Sequence, residues 1–390
     1  MRLGTLCRTV FLTGALLAPS APSIAATWRV TLIEQADNPE LGRTRRERAY
    51  LGHPGGPASD SVAVALEDAQ FELEAAQLKI DLKTELAANM EAARQAAVRA
   101  VQGGAPVLLL NLPAEWIAGV AGAVRVPVFN IGASADKLRE RDCAPNLYHV
   151  LPSERMRADA TAQALTGRRW SQVLLLTGPS PEDAQRSQVA QMAIKRYGLK
   201  LVVNKPFKLS ADPRERALAN TTLLTANLSY DVVWVVDSDG EFARTLPYNT
   251  ASPRPVVGDA GLVALAWQPQ FERFGAPQLS RRFALAAKRP MTDHDWAGWM
   301  AGKALVAAAL AQPRGEPVAL AKALVAIDLD GAKGISMQFR PWDRQLRQPL
   351  LLTDGQSVVG TMPLDGVLHP HNTLDTLGAD EGEKLCKTKG

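Results

Sequence analysis

The chain has 390 residues, 44 of them Lys or Arg and 40 Asp or Glu, giving a formal net charge of +4 and a pI near 9.0. Its hydrophobic content of 46% is that of an ordinary globular protein. No dense Lys/Arg run interleaved with aromatic rings accompanies the basic pI, which excludes a nucleic-acid footprint.

Residues 1–26 carry Arg2 and Arg8 and no acid, then an apolar run over 10–18, then Ser23-Ile24-Ala25-Ala26. A basic start, a short apolar segment and a small-x-small close predict a cleaved secretory signal peptide and a periplasmic location. The apolar run is too short to span a bilayer, and no later segment approaches the roughly 20 apolar residues that membrane insertion requires. Cys7 lies too early, among the wrong neighbours, to carry a lipid. Cleavage leaves about 364 residues, too long for one compact core, so two domains are expected. It also leaves two cysteines, Cys143 and Cys386. In an oxidising compartment they permit one disulfide tying the C-terminal tail to the body, with two free buried thiols as the alternative.

The exported part alternates strand-like and helical patterns. Residues 28–33 (WRVTLI) read as a strand. Residues 60–78 read as one helix capped by Asp60 or Ser61, 79–86 as an edge strand, and 88–101 as a helix. The compact apolar runs at 107–111 and 126–131, bounded by Gly, Pro and Asn, predict buried parallel strands. The pattern restarts with a strand at 173–177, a helix at 181–197 and a strand at 200–203. A helix at 217–224, a strand at 232–237, a short helix at 241–246 and a strand at 255–258 follow. A long helix is expected over 292–311, with short strands at 350–353 and 357–360. Two such series predict an α/β chain of two lobes, each a doubly wound, mostly parallel sheet, with a ligand cleft between them. The expected division is signal peptide 1–26, first lobe 27–151, second lobe 152–285, return to the first lobe 286–340, and C-terminal crossover and tail 341–390. Crossings are expected near 151–152, within 260–290, and near 339–342. The segment 43–58, with RTRRER and GHPGGPA, reads as an inserted loop, either a flap at the cleft edge or simply solvated.

The stretches YHVLPSERM (148–156) and WAGWMAGKALVAAAL (296–310), in this order of elements, resemble type I periplasmic binding proteins of the branched-chain amino-acid class over essentially the whole exported chain. RDCAPNLYHVLPS, YDVVWVVDSDGEF, LPYNTASPRPVVGDAGLVALAW, FRPWDRQLRQPLLL and LDTLGADE are similar to a narrower group, the subfamily associated with pyrroloquinoline quinone (PQQ)-dependent catabolism. Members accompany alcohol-oxidising quinoprotein systems and their ABC transporters. The resemblance implies a monomeric receptor serving an ABC transporter permease, with PQQ as transported ligand and no catalytic cofactor. An amino acid, an organic acid or a metal chelate is the alternative solute. A sensor subunit, or an enzyme or accessory protein of the quinoprotein system, is the alternative role.

Ligands of open α/β sheets bind outside the carboxyl ends of the strands. That rule selects Gln35, Asp37, Asn111 and Ser134 in the first lobe, with Trp116 just beyond. In the second it selects Pro181, Asp237, Asp239 and Asp259. Helix N-termini after these loops offer free N–H groups to an anion. Trp267 and Trp296 are candidates to stack on a flat ligand, with core packing as the alternative; Trp299 reads as core. Three carboxylates on PQQ would need cations, and Lys137, Arg155, Arg45 and Arg46 are the candidates, with plain surface charge as the alternative. An amino acid would instead need an Asp for its ammonium. The DSDGE run lacks calcium-loop spacing, and His369 with His371 makes no metal site. No GxSxG, P-loop, HExxH or GxGxxG motif supports catalysis or dinucleotide chemistry.

Overall fold

The structure, a computed structural model, describes residues 26–42 and 51–387. The expected signal peptide lies outside the described residues except for Ala26, and Arg45 and Arg46 lie outside them too. Among the described residues no helix is long and apolar enough to cross a membrane.

The first lobe is built on β1 (Ala26–Gln35), which pairs in parallel with strands on both sides. Trp28, Val30 and Leu32 point into one apolar cluster and Ile33 into another, so helices cover both faces. The helix expected over 60–78 is two: α1 (Ala58–Asp68) and α2 (Gln70–Ala75), broken at Ala69. Neither Asp60 nor Ser61 caps α1. Its N-cap is Pro57, which has no side-chain acceptor, and the free N–H of Ala58 is taken by Glu34 from the end of β1. β2 (Leu78–Ala87) is the edge strand, and α3 (Met90–Gln102) starts on an Asn89 cap. β3 (Leu108–Asn111), α4 (Ala114–Ala123), β4 (Val128–Asn130) and β5 (Leu147–His149) complete a parallel sheet of order β2-β1-β3-β4-β5.

The second lobe opens with α5 (Glu154–Gly167), capped by Ser153. β6 (Gln172–Thr177), α6 (Pro181–Arg196), β7 (Lys200–Pro206), β8 (Val232–Val236) and β9 (Val256–Gly258) follow, giving a second parallel sheet of order β7-β6-β8-β9. Next comes the short strand β10 (Val263–Leu265). The chain then returns to the first lobe earlier than position 286. Ala266, Trp267, and Leu279 and Phe283 of α7 (Ala276–Ala287) already share a core with Val30. Their apolar side chains are the cause, since they cover the same face of the first sheet as α1.

α8 (Asp293–Ala311) packs along α1, with Gly302 facing Ala65 so closely that an added Cβ would lie 2.5 Å from the Ala65 Cβ. α9 (Pro317–Ala326) and the hairpin β11 (Leu329–Asp330) and β12 (Ser336–Met337) finish the first lobe. β13 (Leu350–Thr353) and β14 (Val358–Met362) then join β10 in an antiparallel sheet on the second lobe. α5 lies between two sheets, with Ala158, Ala162 and Leu165 toward the parallel one and Met156, Ala160 and Ala164 toward the antiparallel one. The backbone passes between lobes three times, near 150–153, 265–267 and 346–350, the third later than the expected 339–342 because Phe339 and Leu346 still pack in the first-lobe core while Leu350 packs on the second lobe. Gln348 ties the third passage to the first by donating to the Val150 carbonyl at 2.7 Å.

Candidate functional site

Both parallel sheets turn their carboxyl ends toward one interlobe crevice. It consists of an outer cavity of about 770 Å3 and an inner one of about 260 Å3. Glu40, Pro54, Ser134, Glu154, Glu182, Arg186, Val189 and His294 line both, so the space is continuous. The inner end has apolar walls from Ala158, Ala190, Trp234 and Leu265, while residues 51–54 close it from the first lobe. The flap reading therefore fits residues 51–54; residues 43–50 lie outside those described.

Arg186, on the cleft face of α6, is the electrostatic centre. Its guanidinium grips the Asp259 carboxylate in bidentate fashion, at 2.6 and 3.0 Å, and its Nε donates to Glu154 at 3.0 Å. Burial works against its charge, but Asp259 and Glu154 more than reverse this and raise its pKa. Burial likewise opposes the charge on Glu154, and Arg186, Arg157 and a hydrogen bond from the Ser134 hydroxyl hold its carboxyl below the usual range. Ser134 also accepts the Glu154 N–H through its carbonyl at 3.0 Å, so this polar chain runs from the first lobe into the second. Deeper in, Arg157 of α5 donates to Asp293 of α8 at 2.7 Å and to the Ala264 carbonyl at 3.1 Å, joining the lobes beside the crossovers. Burial lowers the pKa of the nearby His294 imidazole.

Of the residues chosen by strand position, Gln35, Asn111 and Ser134 line the first-lobe wall, together with the candidate cation Lys137, and Asp237 and Asp259 line the second. Asn111 is turned to Glu34, donating at 3.0 Å, and Lys137 is ion-paired with Glu115. The Asp237 carboxylate accepts the Ala243 N–H at 2.9 Å as a turn cap, and burial raises its pKa. The remaining choices are not brought to the cleft. Asp37 and Asp239 are exposed, Pro181 is exposed as the first residue of α6, and Trp116 packs against the first-lobe core. Arg155 points to the C-terminal tail, where it holds Glu383 at 2.6 and 2.8 Å.

Trp267 and Trp296 need the clearest correction. They are 1% and 0% exposed and stack on each other with centroids 6.5 Å apart. Trp296 donates to the Gly331 carbonyl at 3.0 Å, and the Lys333 ammonium sits 3.6 Å from its ring centroid. Neither ring has a face left for a ligand. Trp299 is core, as expected. His369 is bonded to Asp380 at 3.0 Å, and among the described residues no group of three or more His, Cys, Asp or Glu could hold a metal ion.

The principal cleft residues Arg186, Glu154 and Arg157 were not expected from strand position. They project from helix faces, and α5 itself carries little amphipathic signal because it is buried on two sides. The cleft is acidic. Glu40, Glu115, Asp136, Glu140, Glu154, Glu182, Asp237 and Asp259 line it against Lys137, Arg141, Arg157 and Arg186, although the chain as a whole is basic.

No family model matches the sequence, and no curated protein matches it. Solved structures do match. A periplasmic binding protein from Burkholderia mallei is similar with a TM-score of 0.69 at 12% identity, covering 94% of this chain and all of its own. An R. palustris ABC-transporter solute-binding protein in complex with benzoate has a TM-score of 0.63 at 17% identity, covering 86% of this chain and 96% of its own. A leucine-, isoleucine-, valine-, threonine- and alanine-binding protein from Brucella ovis, in a closed conformation, has a TM-score of 0.67 at 13% identity, covering 83% and 88%. At these identities the likeness is one of fold, the two-lobed α/β architecture of type I periplasmic binding proteins.

Proposed function

We propose that this chain is the periplasmic solute-binding receptor of an ABC transporter, catalysing nothing and closing its two lobes over a small solute that a permease then accepts. The observation that carries the reading is the single continuous crevice formed where two parallel sheets, linked by three backbone passages, turn their carboxyl ends together. The similar solved structures are named as periplasmic or ABC-transporter binding proteins, which supports the transport role.

For the solute, the sequence resemblance names PQQ. The outer cavity, about 770 Å3, is large enough for a ligand of that kind, and Lys137, Arg141 and Arg186 stand along it. A second reading, an amino acid or similar zwitterion, is favoured by the excess of carboxylates, of which Glu182, lining both parts of the crevice, is placed to meet an ammonium group. The cations of the cleft are largely engaged already, Arg186 with two acids and Lys137 with one, so a tricarboxylate has to displace these partners.

The deciding experiment titrates ligand-stripped protein with PQQ and with a panel of amino acids and aromatic acids, following melting temperature and heat of binding. Saturable one-to-one binding of one class identifies it. No binding of PQQ at high micromolar concentration removes that solute, and failure of the whole panel counts against the receptor reading.

A further inference from the structure

The tail that follows β14 packs on the second lobe, and its buried Asp375 also accepts from Arg340 at 2.8 Å and Arg347 at 2.9 Å, beside Phe339 and Leu346 of the first-lobe core. Gly378 donates its N–H to Asp159 of α5 at 2.8 Å and its carbonyl accepts from Arg196 of α6 at 3.0 Å; Tyr197 donates to the Thr376 carbonyl at 2.7 Å. Glu383 is held by Arg155, also of α5. Three residues later the chain is bonded covalently to the first lobe. Cys386 is bonded to Cys143, with Cα atoms 5.6 Å apart. Cys143 belongs to the first lobe, in the turn between β4 and β5 whose flanking Leu138 and Leu147 are fully buried in that lobe's core.

We propose that this tail is a covalent strap between the lobes, a fourth connection beside the three backbone passages, which limits how far they can rotate apart. The reach is short. From the anchored Glu383 to Cys386 the chain spans three residues, about 11 Å at full extension, and Lys384 between them already bends it with a left-handed turn. Rotation that separates the Cys143 turn from α5 beyond that reach has to break either the disulfide or the second-lobe anchors. The strap concerns the lobes alone and stands whatever solute the cleft takes.

The test is small-angle X-ray scattering on ligand-stripped protein, oxidised, then reduced with a phosphine under native conditions, then reoxidised. Both cysteines are partly accessible, and alkylation followed by mass measurement confirms that the bond was cut. The expected result is a larger radius of gyration and a broader distance distribution on reduction, reversed on reoxidation, and the same change in a Cys143→Ser/Cys386→Ser variant. Superposable scattering curves for the oxidised and reduced protein, with circular dichroism showing both folded, overturn the proposal and leave the bond as a pin for the tail. Should the double variant fail to fold, the reduction of folded wild-type protein still decides.

Discussion

Glu34 at the end of β1 accepts the backbone N–H of Ala58 at 2.9 Å, so the first strand caps the first helix across 24 residues of chain. The same oxygen accepts the Asn111 side chain at 3.0 Å, fixing the end of β3 as well. Glu34→Ala strands two donors at a buried position and should lower the unfolding free energy by about 1–3 kcal/mol. Glu34→Gln keeps one acceptor and should cost less. Urea unfolding of the two variants checks both the size and the order.

Removing Arg186 leaves Glu154 and Asp259 facing each other without their shared cation. Arg186→Ala should destabilise the second lobe by about 2 kcal/mol, less than a fully buried pair because all three side chains keep some solvent contact. It should also weaken binding of the solute found in the titration at least tenfold. A variant that binds normally would remove Arg186 from the binding machinery.

His149 is buried between two fixed partners, close to Asn130 at 3.0 Å and the Leu138 carbonyl at 3.1 Å. The network suits a neutral ring that donates to Leu138 and accepts from Asn130. Burial, aided by the nearby Arg139 cation, lowers its pKa well below the ordinary value of 6.5. The unfolded chain takes up a proton below pH 6.5 and the folded one does not, so this residue's contribution to stability is lost as the pH falls from there, by at most about 1.4 kcal/mol per pH unit. His149→Gln should flatten the decline in unfolding free energy between pH 6.5 and 5 relative to wild type, whatever its cost at pH 7.5.

Gly302 lies inside α8, where helix propensity alone makes Ala better by about 1 kcal/mol. Contact with Ala65 of α1 reverses the sign, because the added methyl has nowhere to go. Gly302→Ala should therefore lower stability by about 1–3 kcal/mol. A rise in melting temperature would mean that α1 and α8 separate easily.

The inner strands of the two parallel sheets were legible because they are apolar on both faces and bounded by Gly, Pro or Asn, as in VLLLN and VVWVVD, and the edge strand β2 by its alternation. α5 was not, because a helix buried on opposite faces loses the polar stripe that marks a surface helix. The helix expected over 60–78 read as one element because Ala69 breaks it without a Gly or Pro to announce the break. At the cleft, the strand-end rule reached Asn111, Ser134, Asp237 and Asp259, whose backbone position decides their place. It missed Arg186 and Glu154, which get there by helix rotation. Trp267 and Trp296, chosen as rings able to stack on a flat ligand, lie in the core, because their residue type suits a ligand face and a core equally well.

β2 is the edge strand of the first-lobe sheet, with no strand beyond it among the described residues, and its exposed face carries alternating charges, Lys79 with Asp81 at 2.7 Å and Lys83 with Glu85 at 2.7 Å. A strand from a neighbouring copy could add there only by stripping water from those four groups. That margin of the sheet thus resists pairing between copies through its own charges, with no further element spent on covering it.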